Sequence, residues 1–103
     1  MPRLKRIVKL QLTTGSFGEF KAIFNFGKNV VARSKGCFGV ELVQDINDPD
    51  LVFTLSEWLD EEALNAYRES KEFKNYWPKI KDLLKEKAEV WSLQSVDIKD
   101  GQN

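Results

Sequence analysis

The stretch Leu51-Val52-Phe53-Thr54-Leu55-Ser56-Glu57-Trp58 decides the fold. Extended backbone sends alternate side chains to opposite faces, so residues 51–58 present one wholly apolar row, Leu51, Phe53 and Leu55. The other row is mixed: Val52, Thr54, Ser56 and Trp58. Neither is built for water. Upstream, Asn47-Asp48-Pro49-Asp50 is a turn cluster. Residues 38–46 before it alternate, with Phe38, Val40 and Leu42 opposite Gly39, Glu41, Val43 and Asp45, so the two segments are predicted to form a hairpin.

Further upstream, residues 6–12 alternate with Val8, Leu10 and Leu12 on one face and Ile7, Lys9 and Gln11 on the other, the mark of a first strand. Thr13-Thr14-Gly15 breaks it, and Ser16 with Glu19 fits a capping box at a helix start. Phe17, Phe20, Phe24 and Val31, with Ile23 and Val30 beside them, recur at helical spacing until Gly36 stops the helix; Gly18 and Gly27 weaken it. Downstream, Asp60 is placed to cap a helix striped by Ala63, Leu64 and Tyr67. Ser70 restarts a helix carrying Phe73, Trp77, Ile80, Leu83 and Leu84, in which Pro78 is expected to force a kink or a restart. Residues 89–98 hold Val90, Trp91, Leu93, Val96 and Ile98, enough for a fourth strand, and the polar tail 99–103 is expected to fray. The order βαββαβ predicts an α+β, ferredoxin-like domain: a four-stranded antiparallel sheet with its helices on one face.

Helices on one side cover only one of the two rows of residues 51–58, so the other calls for burial from outside the chain. A second copy is the economical cover, and a homodimer through the open sheet face is expected. Burying Leu51, Phe53 and Leu55 contributes roughly 5 to 8 kcal/mol before association costs.

The chain has 103 residues, room for a single domain over 1–103, and 42% of them are hydrophobic. Lys plus Arg and Asp plus Glu both number 16, so no net field gathers nucleic acid or an anionic membrane surface. The lysines between Lys71 and Lys87 interleave with Glu72, Asp82, Glu86 and Glu89, as on a solvated helix face. RNA-recognition domains share this element order, but residues 51–58 lack their aromatic and basic pattern. The N-terminal residues alternate in polarity with no long apolar run, so neither a signal peptide nor a membrane span is expected, and the location is predicted to be cytoplasmic. Cys37 is the one cysteine and is read as a small buried apolar residue.

With no histidine and one cysteine, the Cys/His zinc sets, histidine haem ligation and His-based triads are excluded. Asp45, Asn47 and Asp50 faintly suggest a calcium loop, but Pro49, Asp50 and Ser56 fall where that loop does not accept them, so a hairpin turn is the reading. The glycines form no phosphate-binding fingerprint. What remains is an aromatic set: Phe20, Phe24, Phe53, Trp58, Tyr67, Phe73, Tyr76, Trp77 and Trp91. Each ring alone is ordinary core; together they are expected to line an apolar pocket, with Thr54, Asn25 and the Tyr67 hydroxyl orienting a small flat ligand.

Several segments resemble the antibiotic biosynthesis monooxygenase family of dimeric α+β barrels: Phe53-Thr54-Leu55-Ser56-Glu57-Trp58, then Glu61-Glu62-Ala63-Leu64-Asn65-Ala66-Tyr67-Arg68, Ser70-Lys71-Glu72-Phe73 and Trp77-Pro78. Gly36-Cys37-Phe38-Gly39, the 45–49 hairpin and Glu89-Val90-Trp91-Ser92 look like that family too, so the similarity spans nearly the whole chain. Its members include small oxygenases that oxidise quinol-like aromatics without metal or flavin, and relatives that degrade haem. The resemblance therefore implies a cofactor-independent monooxygenase for a small aromatic substrate, with no cofactor, or else a non-catalytic ligand-binding or stress-response barrel. Trp58 matches the tryptophan these enzymes share, which makes it the candidate catalytic residue. Phe24, Thr54, Trp58, Tyr67, Phe73 and Trp77 form the expected substrate-binding set. Thr54 stands where oxygenating members carry an asparagine. Val8 and Trp77 align with the asparagine and histidine of the haem-degrading relatives, so haem cleavage is not expected. No general base is evident among these residues.

Overall fold

The computed structural model describes residues 2–98; the tail expected to fray lies outside them. The elements run β1 (Leu4–Gln11), α1 (Phe17–Arg33), β2 (Cys37–Gln44), β3 (Leu51–Trp58), α2 (Glu61–Arg68), α3 (Lys71–Lys81) and β4 (Glu89–Gln94). The strands make one antiparallel sheet in the order β2-β3-β1-β4. This is the expected βαββαβ arrangement, with the last helical stretch divided into α2 and α3.

Register assigns the rows. Leu10 faces Val52, Val8 faces Thr54, Arg6 faces Ser56 and Leu4 faces Trp58 across β1 and β3. On this covered side Leu10 and Trp58 are 1% exposed and Val52 is fully buried. They pack in two adjoining clusters with Phe20, Phe24, Val30 and Val31 of α1, Leu64 of α2, and Tyr76 and Ile80 of α3. Burying a side chain of this size contributes about 1.5–3 kcal/mol, so these contacts dominate the monomer's cohesion. The opposite face carries Ile7, Leu55 and Trp91 in one register and Lys9 and Phe53 in the next, with no helix over them.

The turn and cap chemistry explains where elements end. Asp45 Oδ2 accepts from the amides of Asn47 and Asp48, each at 2.9 Å, so the acidic cluster is a hairpin turn, as read from the sequence. Asp60 Oδ1 accepts from the Ala63 amide at 2.9 Å and Ser70 Oγ from the Phe73 amide at 3.2 Å, which sets the starts of α2 and α3. Gly36 has φ +83°, and an added Cβ there would lie 2.6 Å from the Ala63 Cβ, so both conformation and space demand glycine.

Five expectations need correction. The capping box at Ser16 does not form: the residue is in helical rather than extended conformation and its hydroxyl bonds Thr13 Oγ1 instead. Pro78 does not divide the last helical stretch, because α3 runs through it to Lys81; the restart lies earlier, at Ser70. Phe38 does not join the covered row. A register shift between Cys37 and Gly39 turns it outward, 47% exposed under the Arg3 guanidinium at 3.7 Å, and Cys37 packs beside Trp58 in its place. The fourth strand stops at Gln94, not at 98, because Gln94 pairs with Leu4, the first residue of β1, where that ladder ends. Cys37 is half-buried, not fully buried; burial nonetheless pushes its thiol up, away from reactive thiolate.

Candidate functional site

The pocket forms where the mixed row of β3 meets the three helices. Trp58, at the end of β3, lies 5.2 Å from Tyr67 of α2 between ring centroids, and Tyr67 is edge-on to Phe73 of α3 at 5.0 Å. Phe73 stacks on Trp77 at 5.8 Å with an interplanar angle of 11°. Spacings of this size are favourable ring pairs, so the four rings make a continuous, self-supporting wall. Phe20 and Phe24 of α1, stacked at 5.9 Å, form part of the opposing wall, and Val8, Thr54 and Ser56 form the floor.

The pocket is partly open to solvent and has a volume of about 120 Å³. That is well short of the roughly 300 Å³ where pockets for drug-sized ligands begin, so the cavity has room for a single aromatic ring. All six expected binding residues, Phe24, Thr54, Trp58, Tyr67, Phe73 and Trp77, line it, as does Val8. Others of the sequence-derived set do not. Asn25 is exposed on the far side of α1, while Phe53 and Trp91 belong to the open face of the sheet. Helical phase puts Asn25 beside Phe24 in sequence and away from it in space.

Trp58 is less available than its candidate role implies. Its ring is 1% exposed, and its indole N–H donates to Ser56 Oγ at 2.9 Å, so it offers the cavity π surface and no free donor. No carboxylate lines the pocket, so it holds no side-chain base of the Asp, Glu or His kind. Among the described residues no cluster of three or more metal-ligating side chains exists, and no helix is long and apolar enough to cross a membrane.

Sequence reasoning missed three polar residues of the site: Arg6, Ser56 and Arg68. Arg6 follows the period of Val8 and Leu10 in β1 and so lies on the covered side, where its Nη1 donates to Ser92 Oγ at 2.9 Å. Burial, with a smaller contribution from the charge of Arg68, holds its guanidinium below the ordinary value without discharging it. The signal was in the alternation: extending the covered row of β1 one step back puts a charge in an apolar series.

Residues 4–79 match the sequence profile of the antibiotic biosynthesis monooxygenase family. No curated protein matches the chain. Solved structures do match its fold. A conserved protein from Methanosarcina mazei Go1 is 22% identical with a TM-score of 0.89, over 93% of this chain and 95% of that one. An antibiotic biosynthesis monooxygenase is 19% identical at a TM-score of 0.86, over 91% and 99%. A variant of SnoaB, a cofactor-independent oxygenase from Streptomyces nogalater, is 14% identical at a TM-score of 0.85, over 95% and 97%.

Proposed function

The chain belongs to the antibiotic biosynthesis monooxygenase family, and from that premise we propose that it is a cofactor-independent monooxygenase acting on a single-ring, electron-rich phenol or quinol. The observation that carries this reading is the wall Trp58–Tyr67–Phe73–Trp77 closing on a cavity of about 120 Å³. A flat ring stacked there is held in one orientation and stripped of water, which the protein supplies as positioning and desolvation.

The chemistry is the substrate's own. A phenolate gives one electron to O2, the two radicals combine in a new ring-carbon–oxygen bond, and loss of water leaves a second carbonyl. One oxygen atom enters the product; the other leaves as water with the phenolic and ring hydrogens. A pocket with no carboxylate favours a substrate that arrives already ionised, because no side-chain base is there to deprotonate it. Trp58 closes one end of the π wall along which the anion's ring lies.

Oxygen uptake with a panel of single-ring phenols and quinols tests this. The expected result is consumption above the autoxidation rate, with one atom of labelled O2 in the product. Uptake no faster than buffer across the panel would leave the second reading, a ligand-binding barrel without turnover, which the missing base and the engaged Trp58 N–H favour.

The working unit is proposed to be a homodimer joined through the open face. The apolar row Leu51, Phe53 and Leu55, continued by Ile7 and Trp91 in neighbouring strands, supports this.

A further inference from the structure

We infer that Arg6 and Arg68 form an anion subsite at the rim of the pocket, and that the ligand is a single-ring aromatic acid whose carboxylate they hold while its ring lies against Phe73 and Trp77. This rests on the pocket being the ligand site and goes further by naming the charge of what enters it.

Both arginines line the cavity, yet neither has a carboxylate within ion-pair distance among the described residues. Scarcity of acids does not explain that, since the chain holds 16 of each sign and pairs Arg3 with Glu57, Lys9 with Glu89 and Lys74 with Glu69. The two cations are also close enough for Arg68 to disfavour the charge on Arg6. Bringing like charges together beside an apolar cavity costs stability unless an anion sits between them.

Helix-end placement accounts for a cation at Arg68, in the last turn of α2, but not for one at Arg6. Arg6 occupies a covered-row position whose neighbours along β1 are Leu4, Val8 and Leu10. A guanidinium carries five N–H donors, and Arg6 spends one on Ser92 Oγ. Among the described residues it makes no other side-chain hydrogen bond, which leaves donors for the two-point grip that a planar carboxylate fits. Ser56 adds a donor beside them: its oxygen accepts from Trp58 Nε1, so its own O–H is directed elsewhere. No carboxylate lies on the lining; the nearest acidic influence on the pair is Glu69, which feels the charge of Arg68 from the exposed end of α2.

Titration calorimetry with 2,5-dihydroxybenzoate and its uncharged carboxamide tests the assignment. The acid is expected to bind the native protein about tenfold more tightly than the amide, the size of one or two charge-assisted hydrogen bonds. Arg6→Gln and Arg68→Gln should each bring the ratio of acid to amide affinity down to within about twofold. Arg68 is exposed, so its variant keeps the test valid if Arg6→Gln does not fold. Equal affinities for acid and amide in the native protein overturn the subsite and leave the pocket reading standing. Failure of both probes to bind overturns the pocket reading and the subsite together.

Discussion

The two faces of the sheet are drawn from much the same residue types and meet different ends. On the covered side Leu10, Val52 and Trp58 are at most 1% exposed, and the aromatic wall of α2 and α3 closes over them. On the open side Ile7, Phe53 and Leu55 are only half-buried, and Trp91 is 41% exposed. Composition does not separate these faces; the side on which the helices land does. The difference teaches that the mixed row of β3 serves the monomer's own stability, while its wholly apolar row, Leu51, Phe53 and Leu55, stays half-buried and is the surface of the proposed dimer.

The comparison can be broken by substitutions on each side. Trp58→Ala should be the most damaging, costing about 3–5 kcal/mol in denaturant unfolding, because it empties the junction of two core clusters and leaves Ser56 without its indole partner. A loss below about 1 kcal/mol would mean that the covered face is not the load-carrying one. Gly27→Ala is next. A Cβ on Gly27 would meet the Tyr76 ring at 2.9 Å, and overpacking of that kind outweighs the helix-propensity gain of alanine, for a net loss of about 1–2 kcal/mol. A more stable Gly27→Ala would show that the layer between α1 and α3 is soft.

Tyr76 probes the same layer through pH. Burial raises its phenol above the ordinary value, since the phenolate would lose its hydration there. The folded value thus exceeds the unfolded one of about 10; stability is whole below that pH and falls as pH rises through it, by up to about 1.4 kcal/mol per unit. Chemical denaturation between pH 9 and 11 should show this extra slope, and Tyr76→Phe should lack it. The smallest thermodynamic effect belongs to the open face. Phe53→Glu in dilute protein should change the stability of the isolated chain by less than about 1 kcal/mol, while sedimentation shows the loss of the proposed dimer. A large stability loss with unchanged sedimentation would reverse the assignment of the two rows.

Much of this was legible in the sequence. The period of two grouped Val8 with Leu10 in β1 and Val52 with Trp58 in β3, and the family resemblance supplied the rest, that Thr54 and Trp58 turn toward the helices and the pocket, where the structure has them. What escaped depended on local geometry or on contacts distant in sequence. The register shift at Cys37–Gly39 is invisible to a count of alternation, which therefore groups Phe38 with Val40 and Leu42. The hydroxyl of Ser16 had a competing partner three residues back, which no pattern ranks above a capping box. Gly27 read as a weakness of α1 until the Tyr76 ring showed why no side chain fits there. Arg6 went unassigned because a charged residue at the start of a strand is ordinarily solvated, and only the strand's extension to Leu4 makes it an interior position.

Of the four strands of this sheet, β1 waits longest for its neighbours. β1 lies between β3 and β4, and the contact of Arg6 with Ser92 spans 86 residues. Pairings this distant slow the search for the native topology, so folding of this small chain should fall toward the millisecond-to-second range rather than the microseconds of local helical folds. Until Glu89–Gln94 docks, one edge of β1 has unpaired backbone N–H and C=O groups, the interval in which the nascent protein is most prone to stick to its neighbours.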